Sequence, residues 1–384
     1  MPIAYRQFRD TRFFGSLDGL RAISILGVIW FHTWFGTPSY TRLESIPVLR
    51  MGWFGVDIFF TISGFLITTL LLRERERDGG ISLRGFYVRR ALRIWPLYYA
   101  VLGLYVAMVM LTERGTDRGR AFFHYLPAYL TYTYTWFGPR AGEVPPIFNF
   151  AWTLATEEQF YLFWPFVLQW LRRPWPAVTM IALAVVGLSA RCVGLSHAAG
   201  AVMIANRLAL SIAVPICLGA LLAQTLHSPR GFSAVYRVLG GRWSAPVAGA
   251  LLAACLVPYG EAWRPLAWAA LPALVGACVI REDHGLSSIL RRRPLAYIGV
   301  VSYGMYLFNT LCIKCVRPAM SHVGLTHPAL VFPFAVAATV FLAGLSHRYF
   351  EAPFLALKGR FSPAKPNPVT VTPVTATTEA PAPV

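Results

Sequence analysis

Charge is scarce in this chain, and lysine is almost missing. Only 14% of the 384 residues are Asp, Glu, Lys or Arg, and three lysines stand beside 32 arginines. A typical soluble domain carries about 25% charged residues, so an ordinary soluble fold is excluded. Cysteine is sparse as well. The six cysteines (Cys192, Cys217, Cys255, Cys278, Cys312 and Cys315) all lie in or beside apolar stretches. Cys312-x-x-Cys315 has no second pair, which argues against a zinc site and for buried helix thiols. No RNA- or DNA-binding motif accompanies the net charge of +18, and no separate basic domain exists to carry one. Nucleic acid is therefore not an expected partner. No internal repeat of the transporter kind is visible.

What the chain does have is apolar length. It is 56% hydrophobic, with a mean hydropathy of +0.52, and the apolar residues come in blocks near the 20 that a bilayer core of about 30 Å requires. The expected fold is all-α, a polytopic membrane protein with ten spans at 18–36, 53–72, 94–112, 150–171, 176–194, 204–226, 245–259, 263–281, 296–316 and 328–348. The N-terminal apolar run lacks a small-residue cleavage site and reads as a retained first helix. The aromatic stretch 122–137 reads as interfacial or re-entrant.

Loop charge gives the orientation. With every Lys and Arg except Arg21 and Lys314 assigned to the nearer side, 23 fall on the side shared by both termini and ten on the other. The positive-inside rule then puts both termini in the cytoplasm, and the protein in the cytoplasmic (inner) membrane. The last 24 residues hold six prolines and five threonines, with no aromatic after Phe361, and read as disordered. Three regions follow: a cytoplasmic segment 1–16, a transmembrane domain 17–355, and a Pro/Thr-rich cytoplasmic tail 356–384.

Against this background the ionisable residues inside spans stand out, since each costs about 2.5–3.5 kcal/mol on insertion scales. The first span carries Arg21 and His32, the second Asp57, the fourth Glu157 and Glu158, and the ninth Lys314 near its outer end. Arg21 and His32 are eleven residues apart, three helical turns, so they share a face about 16 Å apart along the axis. The alternating directions of the spans bring His32, Asp57 and Glu157 to similar outer depth. Interhelical hydrogen bonding explains any one of them; the three together suggest a site. Glu158 is expected to point elsewhere. Tyr161 follows Glu157 by four residues and shares its face, and Ser302, Tyr306 and Asn309 line one side of the ninth span. Arg90-x-x-Arg93, beside Arg89, forms a cluster at a helix start suited to phosphate, although most of the surrounding arginine run reads as topology and headgroup contact.

The segments LDGLRAISILGVIWFH, FGVDIFFTISGFLI, FYVRRALRIWPLYY, WTLATEEQFYLFWP and SYGMYLFN occur in this order between about residues 17 and 355. Together they resemble the acyltransferase-3 family of integral membrane O-acyltransferases. The resemblance implies transfer of an acyl group, usually acetyl, from a cytoplasmic acyl-CoA such as acetyl-CoA to a hydroxyl of a carbohydrate or glycoside, without a metal. It marks Arg21 and His32, Arg90 and Arg93, Asp57 and Glu157 as the family's functional positions. Many members have histidine where this chain has Asn309, which puts an acid–base role for that position in doubt. The chain also ends without the extra periplasmic catalytic domain that some relatives append.

The expected chemistry follows from these parts. His32 is the general base, and Asp57 or Glu157 fixes its tautomer and stabilises the imidazolium. Attack on the thioester is direct, with an acyl-histidine as the alternative. Arg21, Arg89, Arg90 and Arg93 hold the donor. Trp152, Tyr161, Ser302, Tyr303, Tyr306 and Asn309 face the acceptor, and Asn309 and Tyr303 are candidate oxyanion donors. A glycan transporter or flippase is the rival reading; paired broken helices in two related halves would favour it, and none is visible. A lipid-binding scaffold is a third, and leaves His32 unexplained.

Overall fold

A computed structural model describes residues 3–35, 37, 51–139, 143, 146–193, 207–209, 211–257 and 263–361. Among these residues the chain is helical throughout, with no strand. Two short leading elements, α1 (Ile3–Asp10) and α2 (Gly15–Trp34), meet at a 63° bend. They are followed by α3 (Gly55–Asp78), α4 (Leu83–Thr112), α5 (Asp117–Leu130) and the single turn α6 (Tyr134–Phe137). Then come α7 (Ala151–Trp170), α8 (Trp175–Val193), α9 (Val214–Leu226), α10 (Pro229–Leu239), α11 (Ser244–Leu256) and α12 (Arg264–Ile280). The turn α13 (Ser287–Leu290), α14 (Arg293–His322), α15 (Pro328–Leu345) and α16 (Ala352–Lys358) complete the order, with a π-helical stretch over Ser346–Glu351.

Local chemistry sets the helix ends. The Ser82, Thr116 and Ser228 hydroxyls accept from the N–H groups of Gly85, Gly119 and Gly231 at 3.0–3.2 Å, capping α4, α5 and α10. Each satisfies a first-turn donor that has no intrahelical partner. The interfacial segment 122–137 resolves into the end of α5 and α6, separated by Tyr132 in left-handed backbone (φ 54°).

Each of the ten expected spans falls on a helix, but their lengths differ from expectation. Four helical stretches, Met51–Asp78, Leu83–Thr112, Arg293–His322 and Pro328–Phe361, are long and apolar enough to cross a membrane. Two bent pairs, α1–α2 and α10–α11, raise the number to six. The segments around α8, α9 and α12 are shorter apolar helices, and residues 36, 194, 204–206, 210 and 258–259 of the expected spans lie outside the described residues. The tail expectation begins too early: the apolar sequence APFLALK continues as α16 to Lys358 and packs against α4. Residues 362–384 lie outside the described set.

Large apolar side chains cover the outside of the bundle, among them Leu111, Trp170 and Phe341 at 84%, 66% and 68% exposure. Only 22% of the most apolar window of Pro328–Phe361 is buried, against 67% for Met51–Asp78. α15 therefore presents its apolar surface outward, as a lipid-facing helix does, and α3 sits at the centre.

Close helix contacts run through glycine. A β-carbon on Gly299 of α14 would lie 2.1 Å from the Asp18 carbonyl oxygen of α2, and one on Gly64 of α3 would lie 2.1 Å from that of Ile216 of α9. Absent side chains at these points let the backbones touch, the usual device where helices pack without a hydrophobic drive between them. The α2–α14 and α3–α9 pairs are accordingly among the tightest in the bundle.

Candidate active site

Two adjoining chambers lie among α2, α3, α4, α7 and α14. The first, of about 180 Å³, is lined by Arg21, Arg90, Arg93, Glu157, Tyr161 and Ser63, with apolar walls from Val56, Phe59 and Phe60. The second, of about 610 Å³, holds His32 and Asp57. Val56 and Tyr306 line both, so the chambers abut at these two side chains. The continuous helix α2 links them: Arg21 faces the first and His32 the second, as eleven-residue spacing requires.

Each guanidinium of the arginine chamber is held differently. Arg21 donates to Asp18 at 2.9 Å, one turn earlier on α2. Arg90 lies over the Tyr161 ring, 4.6 Å from its centroid, a cation–π placement. The Tyr161 hydroxyl makes a short hydrogen bond with Ser63. Arg89, expected to join Arg90 and Arg93, does not line this chamber. It pairs with Glu74 at 2.9 Å and donates to the Phe361 carbonyl at 2.7 Å. One residue along a helix is a rotation of 100°, which turns Arg89 away from the face shared by Arg90 and Arg93.

A contact from α14 fixes His32 of α2. Its Nδ1 lies 2.6 Å from Asn309 Oδ1. Asn309 is fully buried, and its amide Nδ2 donates to the Tyr306 carbonyl while its Oδ1 also accepts from the Thr310 hydroxyl at 3.2 Å. With the amide nitrogen committed, Oδ1 is the acceptor and Nδ1 of His32 must donate. Among the described residues the Nε2 lone pair then has no hydrogen-bond partner, and it lies in a chamber able to receive a substrate.

This differs from the expected pairing. Asp57 shares the chamber with His32, but its Oδ2 accepts from the Trp268 indole at 3.1 Å. Glu157 lines the arginine chamber instead. His32, Asp57 and Glu157 are thus divided between two cavities, and the partner that sets the imidazole tautomer is Asn309. Glu158 does point elsewhere, accepting from Trp95 at 3.2 Å.

The remaining expected residues divide as follows. Ser302 and Tyr303 line the arginine chamber, Trp152 the histidine chamber, and Tyr306 the wall between. Tyr306 is fastened there by the Thr153 hydroxyl, which donates to it at 2.7 Å, while it donates to the Phe150 carbonyl at 3.2 Å. The Tyr303 hydroxyl donates to the Ile94 carbonyl at 2.7 Å, and Asn309 Nδ2 is occupied by Tyr306. Both expected oxyanion donors are therefore already engaged, Tyr303 across to α4 and the Asn309 amide within α14.

Sequence reasoning passed over Thr153, Ser63 and a second part of α14. Tyr306, Thr310, Lys314 and Arg317 recur at intervals of four, four and three and form one stripe down the histidine chamber. The helical period carried that signal beyond Asn309. Arg317 also donates to the Thr33 carbonyl at 2.7 Å, satisfying an acceptor left open at the C-terminus of α2.

Among the described residues the bundle is all-helical, with a partly buried histidine in a chamber that abuts an arginine-lined cavity, and the chain matches the acyltransferase-domain family model over residues 14–348. The protein belongs to that acyltransferase family. It is 28% identical over 372 residues to the peptidoglycan O-acetyltransferase OatA of Listeria monocytogenes, covering 88% of this chain and 55% of that protein. A Bacillus subtilis protein provisionally named peptidoglycan O-acetyltransferase (YrhL) is 28% identical, with 91% of this chain and 56% of that one covered. A provisionally named O-acetyltransferase of Staphylococcus aureus is 26% identical, with 91% and 58% covered. The chain spans a little over half the length of these relatives. No solved structure matches it.

Proposed function

We propose that this protein is an O-acyltransferase of the cytoplasmic membrane, with both termini cytoplasmic. It transfers an acyl group, acetyl first, from acyl-CoA to a hydroxyl of a carbohydrate or glycoside such as a peptidoglycan strand. The observation that carries the reading is the His32–Asn309 contact, in a chamber that abuts the arginines. Family membership and the O-acetyltransferase names of the relatives support the reaction class.

The donor enters from the arginine side. Arg21, Arg90 and Arg93 attract its phosphates, and a chamber of about 180 Å³ with apolar walls suits a slender pantetheine arm rather than a whole nucleotide. The separation of Arg21 from His32, about 16 Å, is comparable to that arm. The acceptor occupies the larger chamber.

His32 Nε2 takes the proton of the acceptor hydroxyl as its oxygen attacks the thioester carbonyl. The Nδ1–H bond to Asn309 steadies the imidazolium, and Asp57 adds negative potential within the same cavity. The tetrahedral intermediate collapses with cleavage of the C–S bond. The departing thiolate recovers the proton from His32, giving an ester and free CoA. The test uses labelled acetyl-CoA and soluble glycan acceptors with the purified full chain. His32→Ala is expected to abolish acceptor-dependent CoA release while the protein still inserts and folds, and wild-type turnover in that variant refutes the base assignment.

A further inference from the structure

The histidine chamber carries more positive charge than the chemistry above uses. Among the described residues its walls hold Arg118, Arg264, Lys314 and Arg317, set against a single carboxylate, Asp57. Arg264 stacks over the Trp53 ring at 4.3 Å, and Arg317 commits one N–H to the Thr33 carbonyl. Arg118, Lys314 and Arg317 form no ion pair with a described residue. Arg118 and Lys314 are exposed and so form the open rim, whereas Asp57 is buried.

Topology does not account for this convergence. The loops on this side are the arginine-poor ones, and the positive-inside rule favours cations at the opposite membrane face. Headgroup contact accounts for cations turned outward, yet these three side chains line a concave space together with His32. Like charges around one cavity repel, and a bound anion relieves that repulsion through short charge-assisted hydrogen bonds. Aromatic faces from Trp53, Phe31 and the 40%-exposed Trp152 lie in the same chamber and offer flat apolar surfaces for sugar rings. Its volume of about 610 Å³ is within the range of roughly 300–1,000 Å³ usual for small-molecule sites.

We infer that the acceptor is an anionic saccharide whose carboxylate or phosphate is held by Arg118, Lys314 and Arg317, with a ring hydroxyl presented to His32. The inference deepens the acyl-transfer reading and depends on it only for the role of His32. A neutral saccharide leaves the rim cations with only Glu113, which acts on Lys314, and Asp57 to answer them. An acidic one has its charge fixed away from the catalytic nitrogen, which selects the hydroxyl that reacts.

The test is equilibrium binding to the full chain in phosphatidylcholine nanodiscs. The probes are a hexuronate-bearing tetrasaccharide, the same tetrasaccharide with its carboxyl groups reduced to alcohols, and a phosphorylated neutral tetrasaccharide. Binding of a charged form is expected to be about tenfold or more tighter than that of the reduced form, a preference that shrinks with added salt. The carboxylate and phosphate arms show which anion is recognised. Arg118→Gln and Lys314→Gln, at exposed positions where folding is undisturbed, should each remove most of the preference.

His32→Ala should keep the preference and lose transfer. A chain that binds the charged saccharide selectively but never transfers acetyl refutes the acyl-transfer reading and leaves this inference standing. Equal binding of charged and reduced forms, or a preference untouched by both rim substitutions, overturns it. So does a preference that vanishes when phosphatidylglycerol replaces phosphatidylcholine, because the rim then serves lipid headgroups.

Discussion

Replacing Asn309 by alanine isolates the role of the contact at 2.6 Å between its Oδ1 and His32 Nδ1. The substitution removes three hydrogen bonds at a fully buried position: from His32, from Thr310, and to the Tyr306 carbonyl. Leaving a buried polar group without a partner costs about 1–3 kcal/mol, so a measurable fall in thermal midpoint is expected. The larger effect falls on rate. An imidazole without its Nδ1 acceptor spends part of its time with the proton on Nε2, where it cannot act as a base, and the imidazolium formed during attack is less stabilised. General-base catalysis contributes roughly 10²–10⁴-fold, and loss of tautomer control is expected to remove on the order of 10²–10³ of it. Initial rates of CoA release, measured against acetyl-CoA and acceptor separately, should show kcat reduced by that factor with both KM values little changed. Asn309→Asp, which restores an acceptor at Oδ1, should recover more rate than Asn309→Ala. Wild-type kcat in Asn309→Ala refutes the assignment, and a loss confined to the thermal midpoint reduces Asn309 to a packing residue.

Other outcomes follow from the same geometry. Arg90→Ala combined with Arg93→Ala should raise the KM for acetyl-CoA by about tenfold or more, whereas Arg89→Ala, whose guanidinium pairs with Glu74, should lower stability without that change; equal donor KM effects contradict the division. Gly299→Ala forces a methyl group to within 2.1 Å of the Asp18 carbonyl, and overpacking of this kind costs about 1–3 kcal/mol or more. Reduced stability together with reduced kcat is expected, because the α2–α14 seam also aligns His32 with Asn309. Burial, followed by the nearby Arg9, lowers the His227 pKa to about 4 despite Glu76 at 3.3 Å. A histidine whose folded pKa is depressed gives full stability above its unfolded value near 6.5 and loses it as pH falls toward 4, by at most about 3 kcal/mol. The detergent-solubilised protein should therefore melt earlier across that window, and His227→Gln should flatten the slope; parallel slopes would refute it.

Part of this site was legible in the sequence because a helix converts spacing into direction. Eleven residues between Arg21 and His32 fixed both a common face and their separation, and both hold on the continuous α2. Arg90 and Arg93, three apart, likewise share a chamber. The partner of His32 was not legible, since Asn309 lies 277 positions away on α14, and its approach depends on the missing side chain of Gly299. Depth arguments matched Glu157 to His32 along the membrane normal but carried no information on which way α7 turns its carboxylate. Arg89 was misjudged for a related reason: adjacency in sequence is divergence on a helix. Ten spans exceed the four to six described helical stretches long and apolar enough to cross a membrane, because apolar windows took in turns and short helices, as at α9, whose helix runs only from Val214 to Leu226.

Tyr306 and Val56 line both chambers, and the boundary they mark governs what the bilayer around it must tolerate. A bore wide enough for both reactants would also conduct ions, and a solid wall would forbid the reaction. Tyr306, held by the Thr153 hydroxyl and the Phe150 carbonyl, stands at the boundary of the two cavities, and in the proposed reaction the acyl carbon must pass beside this ring to reach the alcohol. Only two atoms need to meet for the ester to form, so in the proposed reaction the boundary between donor and acceptor is also the place of bond exchange.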